Sequence, residues 1–156
     1  MNNDRRKVLK GTGGMAVMGL AVSAGLFKPG SAWAQGWNKA AFETKSLADT
    51  VKAMGGSGAT ESKDIVISSP DIAENGAVVP FTISSRVPKT ESIALLVEKN
   101  PNALAASFNI PAGTEAGVTT RVKMGQTSNV TALVKADGKF YYTTKEVKVT
   151  IGGCGG

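Results

Sequence analysis

Residues 129–144 read NVTALVKADGKFYYTT, and this stretch decides the fold. Two runs rich in β-branched and aromatic residues flank Asp137-Gly138. That dipeptide accepts the positive φ angles of a tight hairpin turn, so the stretch predicts two antiparallel strands. The same period-two pattern recurs in both directions. Downstream comes KEVKVTI (145–151). Upstream come GVTTRVKM (117–124), LAASFNI (104–110) stopped by Pro111-Ala112-Gly113, and SIALLVEK (92–99) stopped by Asn100-Pro101. Before these, AVVPFTISS (77–85) follows Asn75-Gly76, which reads as another hairpin turn, and DIVISS (64–69) precedes Pro70. Seven or eight short strands with regular turns predict an all-β, two-sheet sandwich over residues 63–151.

One helical stretch precedes the strands, WNKAAFETKSLADTVKAMGG (37–56). Leu47, Val51 and Met54 recur at i, i+4 and i+7. Ser46 is placed to cap the start, with Asp49 three residues on, and Gly55-Gly56 to end it. The helix is expected over one edge or end of the sandwich. GGSGATES (55–62) reads as a flexible linker or long loop, so 35–62 forms an N-terminal helix and Gly-rich loop. Met54 and Met124 are expected in the core.

The first 34 residues have the layout of an export signal. A basic start with Arg5-Arg6 leads into a Gly-rich apolar run from Gly11 to Phe27, and Ala32-Trp33-Ala34 is a small-x-small cleavage site. Paired arginines before x-x-Leu-Lys resemble the twin-arginine (Tat) signal, and the modest hydrophobicity agrees. Cleavage before Gln35 and a periplasmic location are expected. The apolar run is short and interrupted by glycines, whereas a spanning helix needs about 20 apolar residues, so no stable membrane anchor is expected. The signal holds five basic residues and one acidic residue of the chain's 18 and 12. Residues 35–156 therefore carry 13 and 11, a net +2, with no basic block interleaved with aromatics. Nucleic acid is not an expected partner.

Composition removes much chemistry. The chain has no histidine, which excludes Ser-His and Cys-His nucleophile pairs and His-ligated metals. A single cysteine excludes Cys-rich zinc sites, covalent c-type haem and a CxxC redox pair. No catalytic residue, resident cofactor or metal is expected. Gly11-Thr12-Gly13-Gly14 lacks the strand before it and the Lys-Ser/Thr after it that a phosphate loop requires. Asn129-Val130-Thr131 matches a glycosylation sequon by chance, within a strand.

What remains is the ending, TIGGCGG (150–156). Gly152, Gly153, Gly155 and Gly156 offer Cys154 no side chains to pack against and favour a flexible arm over a buried thiol. A lone cysteine in an oxidising compartment pairs with another chain or is a reactive thiol. The terminal carboxylate two residues away disfavours the thiolate, so this is not a built nucleophile. It reads as a handle acted on by other proteins. From Ile151 to Cys154 the extended reach is about 10 Å, through an arm thin enough to enter a narrow channel.

SPDIAENGAVVP (69–80), ESIALLVEKNPN (91–102), TTRVKM (119–124), VTALVKADGKFY (130–141) and KEVKVTIGGCGG (145–156) together resemble the SoxY family. This is the sulfur-carrier subunit family of bacterial thiosulfate oxidation. The resemblance implies an immunoglobulin-like sandwich, a heterodimer with SoxZ, and Cys154 as the residue that carries substrate as a covalent sulfur adduct. It also implies that a SoxAX cytochrome loads thiosulfate, SoxB hydrolase releases sulfate, and a sulfane dehydrogenase, where present, oxidises the remaining sulfur, all as transient partners. Two other readings stand beside it: a carrier acting through a thiocarboxylate on the terminal Gly-Gly, and a structural sandwich dimerising by a disulfide through Cys154.

Overall fold

The computed structural model describes residues 38–150. The expected signal (1–34, with Arg5 and Arg6) lies outside the described residues. So does the expected arm (152–156, with Gly152, Gly153, Cys154, Gly155 and Gly156).

Among the described residues nine strands form two sheets. They are β1 (Ala59–Glu61), β2 (Ile65–Ser68), β3 (Ile72–Ala73), β4 (Val79–Ser85), β5 (Thr90–Val97), β6 (Leu104–Asn109), β7 (Gly117–Val122), β8 (Ser128–Ala136) and β9 (Lys139–Val149). The large sheet runs β1-β9-β8-β5-β6, with β3 also on β9; the small sheet runs β2-β4-β7. The pairs are antiparallel except β1 and β3, which lie parallel to β9 at its two ends.

The two sheets bury their facing residues. Ile65, Val79, Phe81 and Ile83 of the small sheet meet Ile93, Leu95, Val97, Val130, Val134 and Val147 of the large one. Small-sheet strands alternate strictly; β4 is buried at every second residue from Val79 to Ile83. The large sheet departs from simple alternation. From Ser92 to Val97 every residue of β5 is buried, because this sheet is covered on both faces.

The second cover is helical. Two short helices, α1 (Lys39–Phe42) and α2 (Leu47–Ala53), occupy the expected helical stretch. They pack Ala41 and Val51 onto Ala94, Leu96, Leu104, Leu133 and Phe140, on the outer face of the large sheet rather than at an edge or end. Thr44 explains the break between them. Its hydroxyl donates to the Ala41 carbonyl at 2.7 Å, and its carbonyl accepts from Ala103 N–H at 2.8 Å. A threonine that satisfies backbone groups in this way competes with helix continuation. Ser46 caps α2 by accepting from Asp49 N–H at 3.1 Å, while its hydroxyl donates to the Asp49 carboxylate at 2.7 Å. Gly55 (φ 87°) ends α2: Gly55 N–H reaches Lys52 O at 2.9 Å and Gly56 N–H reaches Val51 O at 2.8 Å, the paired bonds of a Schellman motif.

Three sequence expectations are corrected here. The segment 55–62 is not only a loop: Ala59–Glu61 pairs with Phe140–Tyr142 as β1. Gly56 lets it do so, since a Cβ there would lie 2.5 Å from the Phe140 ring and 2.7 Å from Val51. KFYYTT and KEVKVTI are one strand, β9. Asn75-Gly76 is not the turn of a two-residue hairpin, because β2 and β4 are joined by the ten residues 69–78, which include β3. The Asp137-Gly138 hairpin is as expected: Ala136 faces Lys139, and both turn residues have positive φ, 50° and 75°.

Candidate functional site: the root of the terminal arm

Cys154 lies four residues past Thr150, the last described position, so the geometry on view is that of its root. Strand registers place the root at one end of the sandwich. Val79 faces Val122, Val97 faces Val130, and Ser128 faces Val147, so the connections 69–78, 98–103 and 123–127 meet at the end where β9 finishes. The Asp137-Gly138 turn lies at the opposite end.

At that end β9 overruns its neighbour. Ser128 opposite Val147 is the last pair with β8, so Lys148, Val149 and Thr150 need other partners. Lys148 and Thr150 find them in a strap made by residues 69–78, and Val149 finds its own on the 123–127 connection. Lys148 N–H donates to Asp71 O at 2.9 Å and Thr150 N–H to Ala73 O at 3.1 Å, while Val149 N–H donates to Thr127 Oγ1 at 3.0 Å. Every backbone donor of the overhang is thereby satisfied.

The strap's own sequence explains its path. Pro70 has no N–H to extend β2 and keeps Ser69 extended. Ala73 turns inward and is 6% exposed. Asn75 Oδ1 accepts from Ala77 N–H at 2.9 Å, a side-chain-made turn that reverses the chain. Gly76 is then required by close approach. A Cβ there would collide with the Met124 carbonyl and lie 2.8 Å from Val149 Cγ1, while Gly76 O accepts from Met124 N–H at 2.7 Å. Met124 itself is buried, as expected.

One ion pair ties the strap to β9 by side chains. Lys145 Nζ reaches Asp71 Oδ1 at 2.9 Å and Ser69 O at 2.7 Å. The hydrogen bond from Lys145, and then its charge, hold the Asp71 carboxyl below the ordinary 3.8. Asp71 is open to water, 88% exposed at the side chain, so the pair is a guide more than a stabiliser.

Among the described residues no group of three or more His, Cys, Asp or Glu is placed to hold a metal ion. No described helix is long and apolar enough to cross a membrane. Asn129 of the chance sequon lies in β8, its amide donating to Glu98 Oε2 at 3.0 Å. Sequence reasoning missed Asp71, Lys145 and Thr127 as holders of the root. Asp71 and Lys145 are 74 positions apart, and only the folded topology joins them. The stretch 69–80, which carries part of the family resemblance, is the one that wraps the root.

The family model described as "Sulfur oxidation protein SoxY" matches residues 51–154, a span that ends on Cys154. A solved structure of the sulfur carrier protein SoxY from Chlorobium limicola f thiosulfatophilum is 36% identical, with TM-score 0.58, covering 66% of this chain and 96% of that one. A superoxide reductase (neelaredoxin) from Ignicoccus hospitalis is 18% identical with TM-score 0.48, covering 55% of this chain and 79% of that one. That likeness carries no functional weight. No curated protein matches the chain. With a family match over most of its length, through the strap and root to the terminal cysteine, the chain belongs to the SoxY family of sulfur oxidation proteins.

Proposed function

We propose that this chain is a covalent carrier of sulfur compounds in thiosulfate oxidation, with Cys154 as the carrying residue. The observation that supports this most is the family match running through Cys154 on a segment whose root is held at one end of the sandwich. The chain is then a substrate of other proteins and not an enzyme. A SoxAX-type cytochrome forms the bond between the Cys154 sulfur and the outer sulfur of thiosulfate. The thiol loses its proton, two electrons would pass one at a time to the cytochrome, and Cys–S–S–SO3⁻ results. A SoxB-type hydrolase adds water across the terminal S–S bond and releases sulfate, leaving a persulfide on Cys154. A sulfane dehydrogenase, where one is present, oxidises that remaining sulfur. Gly152, Gly153, Gly155 and Gly156 give the arm a cross-section set by backbone alone, suited to a narrow channel.

We place the protein in the periplasm, exported as a folded Tat substrate through Arg5 and Arg6 and cleaved before Gln35. SoxZ is its stable partner, through an interface that does not need Cys154. The test is loading of the purified chain with thiosulfate and the cytochrome. A Cys154→Ser variant should pair with SoxZ and accept nothing. Turnover by that variant would reject the carrier role.

A further inference from the structure

The two sheets differ in what covers their outer faces. α1 and α2 pack on the large sheet, so its outward residues Ala94, Leu96 and Leu133 are buried. Among the described residues nothing covers the outer face of the small sheet, and its register places the residues there on one surface. Ile65, Val79, Phe81 and Ile83 point into the core, so the residues between them point out. Val66 stands opposite Ser84, Ser68 opposite Thr82, Thr82 opposite Thr119, and Pro80 opposite Arg121. All of these are exposed, Val66 to 47%.

This surface is unlike a sheet face left to water. Arg121 is its one charge, and every other side chain on it is short. The large sheet supplies the comparison within the same molecule. Where its outer face emerges from under the helices, towards the arm end, it carries Glu98, Glu146 and Lys148 beside Asn129, Thr131 and Thr144. Each sheet has one outward threonine pair: the hydroxyls of Thr82 and Thr119 lie 3.1 Å apart, and those of Thr131 and Thr144 lie 3.0 Å apart. Hydroxyls that satisfy each other lose less when water is removed. Short side chains also give up little rotamer freedom on contact. A flat surface of this kind, depleted of charge, has the character of an interface core.

Charge decides the occupant. Among the described residues Arg121 has no ion-pair or side-chain hydrogen-bond partner. A second copy of the chain would set this face against itself, with two arginines and no carboxylate of the face to answer them. A different chain is free to place a carboxylate opposite Arg121.

We propose that the outer face of the small sheet is the seat of the stable partner chain, SoxZ, which covers it with a flat apolar surface and sets a carboxylate against Arg121. This rests on the heterodimer reading above and assigns that pairing a face. The arm root belongs to β9 in the other sheet and is no part of the contact.

The experiment uses the full processed chain with SoxZ as the probe and reads the Kd of the pair. Thr82→Lys sets an unpaired charge in the middle of the seat and should raise Kd about a hundredfold. Thr144→Lys breaks the matching threonine pair on the large sheet, where the face already carries charge, and should change Kd less than about twofold. Arg121→Glu opposes the partner's carboxylate and should raise Kd at least about tenfold. All three positions are exposed, so the unpaired variants should melt near the parent. One readout needs no substitution: phenylglyoxal should modify Arg121 several-fold more slowly in the complex than in the free chain. Parent affinity in Thr82→Lys and Arg121→Glu, an equal loss in Thr144→Lys, or unchanged Arg121 reactivity in the complex overturns the seat and leaves the pairing itself standing. A parent chain that does not bind SoxZ overturns both readings. A parent homodimer that Thr82→Lys dissociates makes a second copy the occupant and overturns the proposal.

Discussion

The two ends of β9 are held in different ways. At its start the strand leaves a two-residue turn, with β8 on one edge and β1 on the other. Adjacent residues make that end: Asp137 and Gly138 supply the positive φ angles themselves. At its finish β8 has already ended, and the last amides are taken by Asp71, Ala73 and Thr127. Residues brought together by the whole sandwich make this end. The hairpin end also takes long-range contacts, from Gly138 N–H to Glu91 Oε1 at 3.2 Å and from Lys89 to Asp137 at 3.5 Å, but its turn is set locally. The arm end joins β9 to the 69–78 strap and the 123–127 connection, so its geometry depends on contacts distant in sequence.

The largest expected effect separates chemistry from architecture at the arm end. Cys154→Ser should abolish thiosulfate-dependent turnover, because a hydroxyl does not form the sulfur–sulfur bond. Thermal melting and SoxZ pairing should match the parent. A loss of fold would show that Cys154 is structural.

Next comes the arm as distinct from its thiol. Val at both Gly152 and Gly153 keeps the thiol but adds two β-branched side chains, which stiffen and widen the segment. Alkylation by iodoacetamide should proceed at near the native rate, while loading by the cytochrome and hydrolysis by the SoxB-type enzyme slow at least severalfold. Equal rates in both enzymatic steps would reduce the glycines to an unstructured tail with no role in channel entry.

The comparison itself is sharpened by one glycine from each end. Gly76→Ala sets a methyl group against the Met124 backbone carbonyl and Val149, an overpacking worth about 1–3 kcal/mol. Gly138→Ala meets nothing within 4 Å, and its cost is the left-handed backbone alone, about 1 kcal/mol. Denaturant unfolding should rank Gly76→Ala as the more damaging. The reverse order would mean that the arm end is less tightly built than its contacts imply.

These two ends also mark how far the sequence could be read. Asp137-Gly138 announces its turn because the required φ angles are a property of those residues alone. Leu47, Val51 and Met54, with Ser46 before them and Gly55-Gly56 after, announce α2 for the same local reason. Asn75-Gly76 carries an equally strong local signal and does something else, because the tertiary contact with Met124 decides what Gly76 is for. The run IALLV (93–97) is compatible with a strand, but its burial on both faces depends on helices more than 40 residues upstream. At the proposed site, Cys154 stands out in the sequence by solitude, position and flanking glycines. The strap does not. Its ion pair spans 74 positions, and its exposed Ile72 looks in sequence like any apolar strand residue.

The smallest effect tests the strap directly. Asp71→Asn should leave overall melting almost unchanged, since the pair with Lys145 is exposed. Amide exchange at Lys148 and Thr150 should nonetheless quicken, while amides flanking Asp137-Gly138 keep the parent rate. The sign of the pH dependence follows from the lowered Asp71 carboxyl. Its contribution to the strap is fully present above 3.8, the unperturbed value, and is lost as the pH falls through the depressed one. The parent should therefore show an acid-induced rise in exchange at Lys148 and Thr150, beyond the intrinsic pH trend, that Asp71→Asn lacks. Identical profiles would show that the backbone bonds hold the root unaided.

The central claim is that Cys154 holds the substrate. It is tested most directly by the intact mass of the C-terminal peptide, taken from the native protein during thiosulfate oxidation. The account predicts thiosulfonate and persulfide adducts on the Cys154 sulfur, removed by reductant and absent without thiosulfate. A peptide that stays unmodified throughout turnover, one modified on the Gly156 carboxyl, or one found only as a disulfide dimer would contradict it.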